Sequence, residues 1–396
     1  MTGKSLDAKL ARIKADPGCG EFILADAKDA DMAFGIASPG KSPEHYASDE
    51  GRFRTLPEYH EQIRQVTRQG LVDIMLMSAY TNSILTIGER LFDGSHVTPA
   101  ARANDTTDIH VVRDGVYPKV PSRPFQTTTI DHIQCGRLAC DDRDRVLGAD
   151  LGLYSVTFNN DLEADHRTLE AYKAFRLEAE AKGFRHFLEV FDPNAPVTPV
   201  EAERMGAFIN DHIVRMLAGV PVASRPLFLK IVYHGPRFME ELVRYDPQLV
   251  VGILGGAAGT TYDAFKMLED ARRYGARVAL YGRKINNAEN QLAFVECLRQ
   301  VADGKLNAEE AVRAYHGILE GLGVTPYRTL DQDMQLSSAA MSYAGAGRPA
   351  RRTVSLPARP APRPSTPPGG NGQAPHFATM TSAERLAYFR SRLNRL

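Results

Sequence analysis

The sequence lacks most of the features that would decide its class at a glance. Its four cysteines (Cys19, Cys135, Cys140 and Cys297) include no C-x-x-C pair. That argues against a disulfide scaffold or a zinc ribbon and fits a reducing cytoplasm. There is no long apolar run: the longest uncharged apolar stretch, Leu249–Ala258, is broken by Gly252, Gly255 and Gly256. Such a stretch is too short to span a membrane. The N-terminus has no apolar core of the kind that directs export. Its histidines show no H-x-H or H-E-x-x-H spacing, so a zinc-dependent route has little support and no metal or other cofactor is expected. Net charge is also missing, with 48 basic and 48 acidic side chains among 396 residues.

That balance conceals an asymmetry. From Arg348 onward there are nine arginines, no lysine and one acid, Glu384, a charge of +8, so residues 1–347 carry −8. A body so acidic is a poor general nucleic-acid binder, because neutralising phosphates supplies most of that affinity. The segment 347–379, dense in Pro, Arg, Gly and Ser, buries too little apolar surface to offset its ordering entropy and is expected to be a disordered linker. Within 380–396, Thr381 and Glu384 form a capping-box pattern, and Leu386, Phe389, Leu393 and Leu396 share one helical face. A short amphipathic helix is expected there, docking on the body or on a protein partner.

Residues 1–340 alternate short apolar runs with amphipathic ones. The apolar runs are Phe22–Asp26, Val72–Ser78, Asp108–Val112, Leu151–Phe158, His186–Phe191, Leu227–Tyr233, Leu249–Leu254 and Arg277–Tyr281. Helical patterns lie between several of them, among them Leu162–Ala181, Pro199–Leu217, Pro236–Tyr245 and Thr261–Tyr274. Eight strand–helix units predict a closed (β/α)8 barrel, a TIM barrel of the α/β class. An open doubly wound sheet usually places a glycine-rich loop after its first strand. Here that strand runs into Asp26-Ala-Lys-Asp29 instead.

In such barrels chemistry collects where the strands end. Lys230 is the only charge in Leu-Phe-Leu-Lys-Ile-Val-Tyr, and alternation puts it on one face with Phe228, Val232 and His234. Tyr233 falls on the opposite face. Desolvation there lowers an amine's pKa toward neutrality and makes it a nucleophile for carbonyls. The structural alternative is a lysine permanently paired with an acid such as Glu189 on the neighbouring strand. His110 and His234 read as substrate-lining or satisfied core histidines. Strand 7 leads into Gly255-Gly-Ala-Ala-Gly259 before a helix, and strand 8 ends in Gly282-Arg283-Lys284. Small residues, a helix N-terminus and two cations at adjacent strand ends suit a phosphate.

These residues resemble a known family. Leu229-Lys-Ile-Val-Tyr-His-Gly235, Leu254-Gly-Gly-Ala and Tyr281-Gly-Arg-Lys-Ile285 look like the bacterial and archaeal class I aldolases, which include the fructose-bisphosphate, deoxyribose-phosphate and tagatose-bisphosphate enzymes. The likeness is closest over Pro226–Leu322. It implies a Schiff-base lysine at Lys230 and a phosphate cradle of Gly255, Gly256, Gly282 and Arg283. It further implies an acid at Asp26 and a strand-5 acid at Glu189. The strand-5 tyrosine of archaeal members is Phe191 here, which leaves Tyr233, Glu189 and Asp26 as candidates to move the proton. The expectation is a metal-independent cytoplasmic aldolase acting on a phosphorylated ketose or related sugar, forming a homo-oligomer. Two alternatives stay open: a phosphate-binding isomerase or transferase with a purely electrostatic Lys230, and an inactive barrel serving as an interaction platform.

Overall fold

A computed structural model describes residues 3–42, 52–196, 198–256 and 259–337, with residues 380, 381, 384 and 387. The linker expected at 347–379 and most of the expected final helix lie outside the described residues, as do Ala257 and Ala258.

Eight parallel strands close into a barrel. They are β1 (Ile23–Lys28), β2 (Ile74–Met77), β3 (Thr98–Arg102), β4 (Leu151–Thr157), β5 (Arg185–Phe191), β6 (Leu229–Ile231), β7 (Val251–Leu254) and β8 (Val278–Tyr281). Each pairs with its sequence neighbours, and β1 also pairs with β8, Asp26 opposite Tyr281, which completes the ring. No described helix is long and apolar enough to cross a membrane.

Alternation along the strands sorts side chains into an inner and an outer layer. Ile23, Ala25 and Ala27 of β1 face inward, packing with Ile74, Leu76, Leu151, Leu153 and Phe187. Helix α1 (Ser5–Ala15) plugs the bottom with Leu6, Leu10 and Ile13, whose 4 and 3 spacing keeps them on one face. Lys4 pins the start of α1, its ammonium donating to the carbonyls of Phe92, Ser95 and Val97 at 2.9, 2.8 and 3.0 Å. The rings of Phe187 and Phe228 stack above the plug, centroids 4.6 Å apart. Two residues further along the same strands, on the same face, come Glu189 and Lys230. The aromatic pair therefore floors the polar layer.

The third strand is not where hydrophobicity places it. Asp108–Val112 is irregular, and the strand is Thr98-Pro-Ala-Ala-Arg102, a run with little β-propensity. Tertiary pairing between β2 and β4 outweighs local preference. The β-branched run at 108–112 serves the mouth instead. Ile109 packs there on Phe191, Val232 and Leu254, and Val111 N–H donates to the Ala33 carbonyl at 2.8 Å. Asp108 anchors the segment by accepting from Ser122 Oγ (2.6 Å) and Thr157 Oγ1 (3.1 Å).

The cysteine expectation also needs correction. Cys135 and Cys140 form a disulfide, while Cys19 and Cys297 are free. Gly136, at φ 77°, turns the chain back after a six-residue helix and brings the two Cα atoms to 6.0 Å, within bonding range.

Candidate active site

The inward-facing polar residues at the strand ends form one connected group. Lys230 sits opposite Glu189 of β5 and Gly252 of β7 in the strand registers. Its ammonium lies 2.5 Å from Glu189 Oε1, with both side chains almost wholly buried. Gly252 is required by close approach, since a Cβ there would come 2.6 Å from the Leu229 carbonyl oxygen and 2.7 Å from Val278 Cβ. The second oxygen of Glu189 accepts from Ser155 Oγ at 2.7 Å and from Arg102 Nη2 at 3.4 Å.

Arg102 is the centre of this group and is wholly buried. Its Nε donates to Asp29 Oδ2 at 2.6 Å, its Nη1 donates to Ser155 Oγ at 3.0 Å, and Asp105 lies 3.7 Å away. Three carboxylates thus surround one guanidinium. Burial pushes Asp105 up to about 6; Arg102 opposes that shift, and Asp29 and Glu189 add to it. A buried charge is tolerated when paired and hydrogen-bonded, and Asp29, Arg102, Glu189 and Lys230 satisfy that as an alternating chain.

A cavity of about 30 Å³ opens between this chain and the loops after β7 and β8. Lys230, Asp29, Gly255, Gly256, Gly282 and Arg283 line it. Gly255 and Gly282 are required by close approach: a Cβ on the first would overlap the Tyr281 ring, and on the second the Ala27 carbonyl. Arg283 begins a four-residue helix, with its guanidinium 4.8 Å from the Phe34 ring centre.

The structure therefore gathers Lys230, Glu189, Gly255, Gly256, Gly282 and Arg283 at the mouth, and leaves out Asp26 and Tyr233. Asp26 alternates with Ala25 and Ala27 and so turns outward, between barrel and helices. There it pairs with Lys28 at 3.1 Å, both fully buried, and burial raises it to about 6 despite that cation. Lys28 in turn donates to Asn286 Oδ1 at 2.5 Å. Tyr233 likewise faces outward, packing in the outer core with Leu229 and Ile231. The acid that β1 delivers to the mouth is Asp29, two residues past the inward Ala27. Arg102, Ser155 and Asp105 complete the site without having been singled out by sequence, and Asp29, one of the acids at the end of strand 1, stands where Asp26 was expected. The inward alanines of β1 carried the signal for Asp29; Arg102 was hidden by assigning the third strand to 108–112.

No family model and no curated protein matches the chain. Solved structures do. An archaeal fructose 1,6-bisphosphate aldolase is similar at 17% identity and a TM-score of 0.52, over 76% of this chain and 100% of that one. A Schiff-base-forming fructose-1,6-bisphosphate aldolase is similar at 19% and 0.52, over 75% of this chain and 100% of that one. The fructose-bisphosphate aldolase from Slackia heliotrinireducens is similar at 13% and 0.55, over 78% and 89%. At such identities the likeness is one of fold. In its barrel, this chain is similar to the class I aldolase-like structures.

Proposed function

We propose that the chain is a carbon–carbon lyase that cleaves or forms a phosphorylated ketose, or a related sugar, through an imine on Lys230. The observation that carries this reading is the position of the Lys230 nitrogen. It faces the cavity, 2.5 Å from a buried carboxylate, and shares that cavity with the glycines and arginine of the β7 and β8 loops. Those loops would hold the phosphate, with their N–H groups and Arg283, away from the reacting carbons.

Glu189 is the group within reach to move protons. It takes a proton from the Lys230 ammonium, and the amine adds to the substrate ketone. It returns that proton to the carbinolamine hydroxyl, which leaves as water and generates the iminium. As a carboxylate again, it takes the proton of the hydroxyl beyond the scissile bond. The bonding electrons flow into the iminium, an aldehyde departs and an enamine remains. Protonation of the enamine carbon and hydrolysis of the resulting iminium restore Lys230. Arg102 and Ser155 stabilise Glu189 whenever it is charged.

The Lys230–Glu189 ion pair also favours a second reading, in which Lys230 stays an ammonium and the barrel isomerises a sugar phosphate. Borohydride treatment with a panel of ketose phosphates, followed by mass spectrometry, separates the two. The aldolase reading expects a stable adduct on Lys230 that Lys230→Met abolishes, with cleavage reduced by about a thousandfold or more. Aldose–ketose interconversion without any adduct would overturn it.

A further inference from the structure

A second cavity, of about 430 Å³, lies on the other side of the β7 and β8 loops and shares no lining residue with the mouth. Its walls include Gly259 and Thr261 from the first loop, Lys284, Asn287 and Glu289 from the second, and Arg328 from the C-terminal side of the barrel. The four-residue helix Arg283–Asn286 divides the two spaces. Consecutive residues on a helix point about 100° apart, so Arg283 reaches the mouth and Lys284 the second cavity.

The charges here are unbalanced. Among the described residues, neither Lys284 nor Arg328 has a carboxylate within ion-pair distance. Lys284 makes one hydrogen bond, to the Gly259 carbonyl at 2.8 Å. The neighbouring acids are already engaged. Glu289 accepts from Tyr327 N–H (2.8 Å) and Tyr315 Oη (2.9 Å). Asp333 accepts from Thr261 N–H (2.7 Å) and His316 Nε2 (3.0 Å), and Asp263 caps its own helix. Burial, reinforced by Arg328 and opposed by Asp333, Asp263 and Glu289, brings Lys284 down to about 8. A cation so placed gains from an arriving anion. Lys41 lines the same space.

We propose that this cavity is a second anion site, which takes a small phosphorylated molecule. A guanidinium and an ammonium converging on one space suit a phosphate, and the volume falls in the range of small-molecule sites, about 300–1,000 Å³. The site is independent of what the mouth catalyses.

The test is calorimetric titration of the full chain with inorganic phosphate and pyrophosphate, in an Arg283→Ala background that removes the cation of the mouth's phosphate loops. Binding should persist in that background. It should weaken about tenfold on adding Arg328→Ala, and similarly with Lys284→Gln, which retains a donor for the Gly259 carbonyl. Thermal melting checks that each variant is folded. Loss of all binding with Arg283→Ala alone, binding indifferent to Arg328 and Lys284, or no binding of either probe would each overturn the proposal.

Discussion

In the proposed reaction Glu189 is asked to do two things that pull in opposite directions. It must be basic enough to accept a proton from Lys230, yet Arg102 and Ser155 both stabilise its charged form. Glu189→Gln separates these roles, because an amide preserves the shape but neither carries charge nor moves a proton. Imine formation itself needs Glu189 to take and return a proton, so borohydride trapping should slow together with cleavage in this variant. Cleavage should fall by about 10²–10⁴-fold, the usual contribution of a positioned acid–base group. Trapping and cleavage both left within about tenfold of the natural protein would show instead that Glu189 only holds Lys230 in place. Lys230 itself was legible from sequence because it is one charge in an apolar run, and alternation alone fixed its face. Asp26 was expected from its place at the end of strand 1 and from the family resemblance, and alternation along β1, with Ala25 and Ala27 inward, turns it out of the site. The inward alanines, not the first acid, set the register of β1.

At the scale of elements, strands whose apolar residues exceed their neighbours in β-propensity were readable, and β3 was not. Its Thr-Pro-Ala-Ala-Arg sequence is a strand only because β2 and β4 supply partners on both sides. Hydrophobic pattern cannot report that kind of dependence. Helix α1 was passed over for a different reason: an eleven-residue helix at a terminus is weak in isolation, and its order comes from the barrel floor it fills. Leu10→Ala should therefore cost about 2–5 kcal/mol, measured by urea unfolding. A cost below 1 kcal/mol would mean that the plug is not integral to the core.

The whole molecule concentrates acidic groups where water is scarce, and this sets a pH dependence. Asp105 has its folded pKa raised from an ordinary 3.8 to about 6. Between these values the folded protein holds a proton that the unfolded chain has released, so this group's contribution to stability is lost as pH rises through about 6. Asp105→Asn removes the effect. Urea unfolding across a pH series should show the variant and the natural protein alike in this respect near pH 4, and the variant ahead by about 2–3 kcal/mol above pH 6.5. His186, lowered to about 4 by burial, acts in the opposite sense in both proteins and cancels in the difference.

The seal formed by Ile109 on Phe191, Val232 and Leu254 has a kinetic meaning. A chamber of about 30 Å³ has room for about one or two water molecules, not for a six-carbon sugar. Under the proposed function a substrate of that size enters only if the loops at the mouth move, and the packing of Ile109 on Leu254, which lines the chamber, is one contact such a movement would break. For the proposed lyase, an opening step of this kind, rather than bond-breaking, is the expected bottleneck.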